Sequence, residues 1–253
     1  MPRLFAPTEE LAGEEITLGG ESHRYLTRVL RLAAGDRVEL FDGRGLEIAA
    51  TIVRAGSREV TLRLGERRRA TLPTTPPVTL LQGLPRAERM ELVIQKATEL
   101  GAARVIPVRA VRSATGQQPR TARWEKIALE AARQCGRADS MLISAPLSLE
   151  EALAGLTSPS TRLVPWEEAP GAESLERALP RVPQIGDGDG VGVGNGDGVD
   201  VLIGPEGGLT AGEVARATEA GFRVVTLGPR ILRTETAAIV ALTIIQSHLG
   251  ALG

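Results

Sequence analysis

The 253-residue sequence predicts an α/β protein in two parts, a mostly parallel sheet with helices on both faces preceded by a small β-barrel. Three observations carry that expectation. Residues 1–70 hold short alternating strands punctuated by turns, residues 72–77 hold three prolines, and the remainder interleaves apolar strands with segments of helical spacing.

The strands of the first part are read at Arg37–Phe41, Leu46–Val53 and Glu59–Leu64, with the turn Asp42-Gly43-Arg44-Gly45 between the first two. Alternation with short turns is the pattern of an antiparallel barrel that buries one face of each strand. Residues 21–31 have helical spacing, which sets Tyr25, Val29 and Leu32 on one side and Arg24, Arg28 and Arg31 on another. Proline lacks an amide donor and fixes φ, so residues 72–77 resist both helix and ladder. The expected organisation is a domain at residues 1–71, a linker at 72–77 and a second domain at 78–253.

In the second part, strands at Val78–Leu81, Val105–Val108, Arg162–Trp166, Val201–Ile203 and Val224–Leu227 alternate with helices near 87–100, 124–134, 211–220 and 236–249. Gly101 and Gly136 stand just past the first two helices, the usual place for a C-terminal stop. Strands this apolar belong to a parallel sheet covered on both faces. Residues 185–200 depart from the pattern, alternating Gly with Asp, Val or Asn. Such a run cannot bury enough side chain to offset its ordering entropy, so a flexible surface insertion is expected there.

Composition narrows the function. No apolar stretch reaches the ~20 residues that span a bilayer, and Met1-Pro-Arg-Leu-Phe5 lacks the apolar core of a secretory signal, so a cytoplasmic protein without a membrane partner is expected. Cys135 is the single cysteine, which excludes an internal disulfide scaffold, and it reads as a small buried residue at a helix end. With only His23 and His248 besides, neither a histidine-based metal site nor a histidine-activated nucleophile is expected. Trp124 and Trp166 are assigned to core packing.

The formal net charge of −1 hides a polarised chain: residues 1–70 carry +1, residues 71–137 carry +6 and residues 138–253 carry −8. The basic half suits a polyanion. Of 30 basic residues 28 are Arg, which makes planar bidentate contacts with phosphate, although a general compositional bias accounts for the ratio equally well.

Two glycine-containing loops carry the chemistry. Ile203-Gly-Pro-Glu-Gly-Gly-Leu-Thr210 leaves a strand and enters a helix through the capping box Thr210-Ala-Gly-Glu213. In an open parallel sheet such a loop borders the ligand crevice, and glycine lets a ligand approach the backbone. No Gly-Lys-Ser/Thr or Gly-x-Gly-x-x-Gly pattern is present, which argues against nucleoside triphosphate hydrolysis and ordinary dinucleotide binding. The second loop, Leu227-Gly-Pro-Arg-Ile-Leu-Arg-Thr-Glu-Thr-Ala237, sets Arg230, Arg233 and Glu235 around Ile231 and Leu232 just before a helix. An apolar pair among backbone amides suits an adenine ring, and arginine suits phosphate or a developing anion. A helix start capped by Thr234, with an arginine paired to Glu235, is the structural alternative.

Together these loops closely resemble the C-terminal signature of the RsmE-type 16S rRNA uridine-N3 methyltransferases of the SPOUT superfamily. Supporting matches run the length of the chain at Met1-Pro-Arg-Leu-Phe5, His23–Arg31, Gln95-Lys-Ala-Thr-Glu-Leu-Gly101 and Gln134-Cys-Gly-Arg137. The resemblance implies a trefoil-knotted SPOUT domain behind a PUA-like RNA-binding barrel, a homodimer, and S-adenosylmethionine as cofactor. It implies methylation of N3 of a uridine in the 16S rRNA of the small ribosomal subunit, with Arg233, Arg230 and Glu235 as catalytic candidates. Arg233 is the first choice to stabilise the anionic base, Arg230 the alternative, and Glu235 either a base or an arginine-orienting group. The cofactor is expected against Pro165 and Trp166, against Ile203, Gly204, Pro205, Glu206, Gly207 and Gly208, and against Leu227, Gly228, Ile231, Leu232, Arg233 and Ala237. RNA contacts are expected at Arg3, His23, Arg24, Arg28, Arg31 and Arg137. The competing reading is an RNA-binding ribosome-assembly factor that keeps the fold without turnover.

Overall fold

The computed structural model describes residues 1–71, 75–114, 120–169, 171–180 and 198–252. They form two compact units, Met1–Leu72 with Leu129–Ser140, and Pro73–Ala128 with Met141–Gly253.

The first unit contains β1 (Arg3–Phe5), β2 (Glu15–Gly19), α1 (Gly20–Arg24), β3 (Arg37–Phe41), β4 (Leu46–Ala55) and β5 (Glu59–Arg69). Its sheet runs β1-β3-β4-β5-β2. The β3–β4, β4–β5 and β5–β2 ladders are antiparallel, and β1 pairs parallel to β3. Alternate residues point inward, so Val38, Leu40, Ile48, Ile52, Val60 and Leu62 are fully buried around Leu26. On the outer rows Arg3 and Arg68 each pair with both Glu39 and Glu47, at 2.6–2.9 Å. Residues 138–140 fasten to the β3–β4 turn, where Gly45 N donates to Ala138 O (3.0 Å) and Ser140 N to Gly43 O (2.8 Å).

The helical face read over residues 21–31 requires correction. After α1 the chain widens into a π-turn at Tyr25–Val29, with Leu30 N donating to Tyr25 O at 2.9 Å. The extra residue per turn advances the phase. Leu26 and His23 are buried, whereas Val29, grouped with Tyr25 and Leu32 on one side, is 68% exposed. Tyr25 is half-buried, with the Arg133 guanidinium over its ring at 4.0 Å. Cys135 also departs from expectation: it sits in the last turn of its helix and is exposed.

The second unit adds β6 (Val78–Gly83), α2 (Ala87–Glu99), β7 (Arg104–Arg109), α3 (Thr121–Cys135), whose last turns count with the first unit, β8 (Leu142–Ile143), β9 (Leu147–Ser148), α4 (Leu149–Ala154), β10 (Ser160–Pro165), α5 (Leu175–Ala178), β11 (Gly198–Ile203), α6 (Ala211–Glu219), β12 (Arg223–Val225) and α7 (Thr234–His248). The sheet runs β12-β10-β11-β6-β7-β8, with β9 also on β7, and every ladder is parallel. One face packs on α2 and α7 through Leu80, Ile94, Val201, Leu242 and Ile245; the other packs on α4 and α6 through Leu81, Ile106, Leu202, Ala217 and Phe222. Helices on both faces bury the sheet, which is why its strands lack the alternation seen in the first unit.

Of the Gly/Asp segment, residues 185–197 lie outside the described residues. Its last residues are not insertion but strand: Gly198–Asp200 open β11, and the buried Asp200 accepts from the Ser160 hydroxyl at 2.5 Å. Part of the linker, residues 72–74, is likewise outside the described residues. Among the described residues no helix is long and apolar enough to cross a membrane, and no cluster of three or more metal-ligating side chains occurs.

Candidate active site

Strands β12, β10 and β11 lie side by side in the sheet, and the loops leaving their C-terminal ends enclose one cleft of about 340 Å³. The first wall is Pro165, Trp166, Glu167 and Ala169 after β10. The second is Gly204, Pro205, Glu206, Gly208 and Leu209 after β11, with Ile203 at the strand end. The third is the stretch from Thr226 to Thr234 after β12, closed by Ala237 on α7. Of the residues expected around the cofactor, Gly207 alone does not line the cleft; it packs instead on Arg112, whose Nη1 donates to Gly207 O at 2.9 Å.

The β11 loop is held tightly. A Cβ on Gly83, at the end of β6, would come within 2.6 Å of Pro205 N and Cδ, so only glycine permits this approach of two loops. Behind the loop, Thr210 and Glu213 form the anticipated capping box on α6. Glu213 is buried, and its carboxylate also accepts from Val111 N at 2.8 Å. Burial alone pushes its pKa up, but the donors of Thr210 and Val111, aided by Arg216, outweigh it and hold the group below its ordinary value.

The β12 loop is open where the β11 loop is closed. Gly228 has φ +111° with nothing within 4 Å of its missing side chain. Ile231 is 84% exposed, and Arg230 and Arg233 are exposed with no ion pair among the described residues. Among those residues the backbone amides of Ile231 and Leu232 likewise donate to nothing. The buried indole Nε1 of Trp166 has no partner either. Free donors around an apolar floor of Ile203, Leu209, Leu227 and Leu232 fit an adenosine-bearing ligand, and the volume lies in the range of small-molecule sites, about 300–1,000 Å³.

Three features of the α7 entrance were not legible in the loop motifs. Arg233, not Thr234, occupies the N-cap position, and no side chain caps the helix. The Thr234 hydroxyl donates to Gly204 O (2.6 Å) and accepts from Gln82 Nε2 (2.9 Å), which joins the two glycine loops through β6. Glu235 does not line the cleft and pairs with neither loop arginine; its cationic neighbour is Arg89 of α2, at 3.9 Å. Gln82 carried a readable signal, a polar side chain in an otherwise apolar strand. Arg89 carried none, since a charge in the first turn of a helix is ordinarily solvated.

In the first unit Arg24, Arg28 and Arg31 are exposed on and just after α1 and its π-turn, and Arg31 adopts φ +56°. The other residues expected at RNA make internal contacts. Arg3 is held by Glu39 and Glu47, His23 is buried with Nε2 donating to Gly56 O (2.9 Å), and Arg137 pairs with Asp139 at 2.6 Å.

The sequence matches a family model described as an RNA methyltransferase domain over residues 73–246, and one described as an RNA methyltransferase PUA domain over residues 18–65. A Bacillus subtilis protein named ribosomal RNA small subunit methyltransferase E is 31% identical over 246 residues, covering 95% of this chain and 90% of the relative. The Mycobacterium bovis protein of the same name is 33% identical, covering 94% and 88%. The chain belongs to the ribosomal RNA small subunit methyltransferase E family. A crystal structure of such a methyltransferase from Neisseria gonorrhoeae, bound to S-adenosyl methionine, matches with a TM-score of 0.80 at 30% identity, covering 98% of this chain and 97% of that one. A PUA-like domain followed by a parallel-sheet methyltransferase domain is thus the architecture of this family member.

Proposed function

We propose that the protein transfers a methyl group from S-adenosylmethionine to N3 of a specific uridine in the 16S rRNA of the small ribosomal subunit, acting in the cytoplasm as a homodimer without a metal. The observation that supports this most is the convergence of three strand-end loops on one cleft with free backbone donors and an apolar floor. Those residues fit the cofactor: Leu227, Ile231 and Leu232 to flank an adenine, Gly204 and Gly208 to admit it against the backbone, and Pro165 and Trp166 as the facing wall.

Bound S-adenosylmethionine supplies a methyl group already activated on a sulfonium, so the chain must align the acceptor and stabilise charge. Loss of the N3 proton to solvent water leaves an anion spread over the neighbouring uracil oxygens, which accepts the methyl group as the sulfonium becomes a neutral thioether. Arg233 is exposed, unpaired among the described residues and on the rim of the cleft, which suits it to that anion. Arg230, two residues from Leu232, is the alternative. Glu235 takes an orienting role in this reading, because its neighbour is an arginine and it does not face the cleft. Arg24, Arg28 and Arg31 provide the exposed cations for rRNA phosphates. Arg3, His23 and Arg137 shape that surface from within.

The direct test supplies this protein to bacteria whose 16S rRNA lacks 3-methyluridine and examines the rRNA by mass spectrometry. Appearance of one 3-methyluridine is expected; unchanged rRNA would sink the proposal. Calorimetry with S-adenosylmethionine separates the assembly-factor reading, for which no cofactor uptake is expected.

A further inference from the structure

A cation outside both glycine loops sits between them. Arg89, in the first turn of α2, lines the cleft; its Nη1 lies 3.3 Å from Glu206 Oε1 of the β11 loop and its Nε 3.9 Å from Glu235 Oε1 at the start of α7. Glu206 Oε1 is also fixed by Arg86 N at 2.9 Å, so one end of the bridge is anchored to the backbone at the helix N-terminus. The other end is precarious. The Glu235 side chain is only 12% exposed, its Oε2 is buried without a hydrogen-bond partner, and Arg89 is its ion-pair partner among the described residues. A half-buried carboxylate at this helix start has only the α7 N-terminus and this one cationic side chain, among the described residues, to offset the water it has lost.

We propose that Arg89 is a positioning residue for the cofactor cleft, a strut that holds the two glycine loops at fixed separation by carrying Glu206 on one arm and Glu235 on the other. It acts through those carboxylates, not as a group that moves a proton or a methyl. The inference rests on the cofactor reading of the cleft. It adds that cofactor affinity depends on a charge balance set by a helix that neither loop contains. The arrangement has a signature that simple packing lacks. Without Arg89, the half-buried Glu235 carboxylate loses the cationic side chain beside it, so neutralising Glu235 repairs much of the damage that losing Arg89 causes.

The experiment compares wild type, Arg89→Leu, Arg89→Lys, Glu235→Gln and the double variant Arg89→Leu/Glu235→Gln, using calorimetry with S-adenosylmethionine and the melting temperature of the ligand-free protein at neutral pH. Arg89→Leu is expected to weaken cofactor binding about tenfold or more and to lower the melting temperature. The double variant recovers most of both losses, and Arg89→Lys falls between Arg89→Leu and wild type, because it keeps the charge but not the fork. Cofactor affinity of Arg89→Leu within about twofold of wild type overturns the proposal. So does a double variant no better than Arg89→Leu in either measurement. If wild type takes up no S-adenosylmethionine, the cofactor reading fails; the melting temperatures then judge the strut alone. Should Arg89→Leu fail to fold, a folded double variant supports the strut and an unfolded one overturns it.

Discussion

The two glycine loops of the methyltransferase unit leave adjacent regions of one sheet yet are built on opposite terms. The β11 loop is packed: Gly83 and Pro205 touch backbone to backbone, Glu213 anchors the following helix, and Arg112 covers Gly207. The β12 loop is held at its ends and open between them, with Gly228 facing empty space and its two arginines and the Ile231 and Leu232 amides unpaired among the described residues. Similar glycine-proline motifs thus do different work. One fixes a wall through contacts already made; the other presents groups that no described residue pairs.

That contrast breaks down or sharpens under five substitutions. The largest effect is expected at the open loop, on rate: Arg233→Ala should slow methyl transfer about 10²–10³-fold while leaving cofactor affinity nearly unchanged, as for loss of one donor to a developing anion. Equal losses in single-turnover rate and in calorimetric affinity would move Arg233 to cofactor binding. Next comes the paired test of glycines. Gly83→Ala forces backbone apart and should cost about 3 kcal/mol in denaturant unfolding, whereas Gly228→Ala meets no atom within 4 Å and should cost about 1 kcal/mol from its left-handed φ alone. Comparable costs would erase the distinction between the loops.

Thr234→Val removes the hydroxyl shared by the two loops and should cost about 1–2 kcal/mol, because Gly204 O loses its donor. A neutral result in urea unfolding would mean that the loops are not joined there. The smallest effect concerns pH. Glu213 is held below its ordinary value of 4.5, so its contribution is complete above that value and is lost as pH falls through the lowered folded value. The difference in stability between wild type and Glu213→Gln should be about 1 kcal/mol at pH 7 and shrink towards pH 3. A difference independent of pH would remove the carboxylate from the account.

Where residues close in sequence set the structure, the sequence was legible. The apolar runs of β6 and β11 announced a sheet covered on both faces, and Thr210 with Glu213 announced the start of α6 because a capping box is local. The residues expected around the cofactor came from the family resemblance that the two loop motifs carry, and the ends of adjacent strands bring all but Gly207 of them to one cleft. What was missed is non-local. Gln82 and Arg89 matter through partners more than a hundred residues away in sequence, Thr234 and Glu235, and no spacing rule links such positions. The inner face of residues 21–31 was misread for a different reason. A helical period of 3.6 was assumed, and the single wide turn at Tyr25–Val29 exchanged Val29 for Leu26.

The discontinuity of the first unit bears on how the protein is made. Residues 138–140 bond the β3–β4 turn, and Arg133 covers Tyr25, yet both belong to chain that follows β6, α2 and β7. During synthesis at about 5–20 residues per second, the amino-terminal sheet leaves the ribosome several seconds before its last strap does. Over that interval the β3–β4 turn lacks Ala138 and Ser140, and Tyr25 lacks its arginine cover. The amino-terminal unit therefore reaches its final form only after half of the chain has been translated, and truncation at the prolines would leave its five-stranded sheet without the strap at residues 138–140.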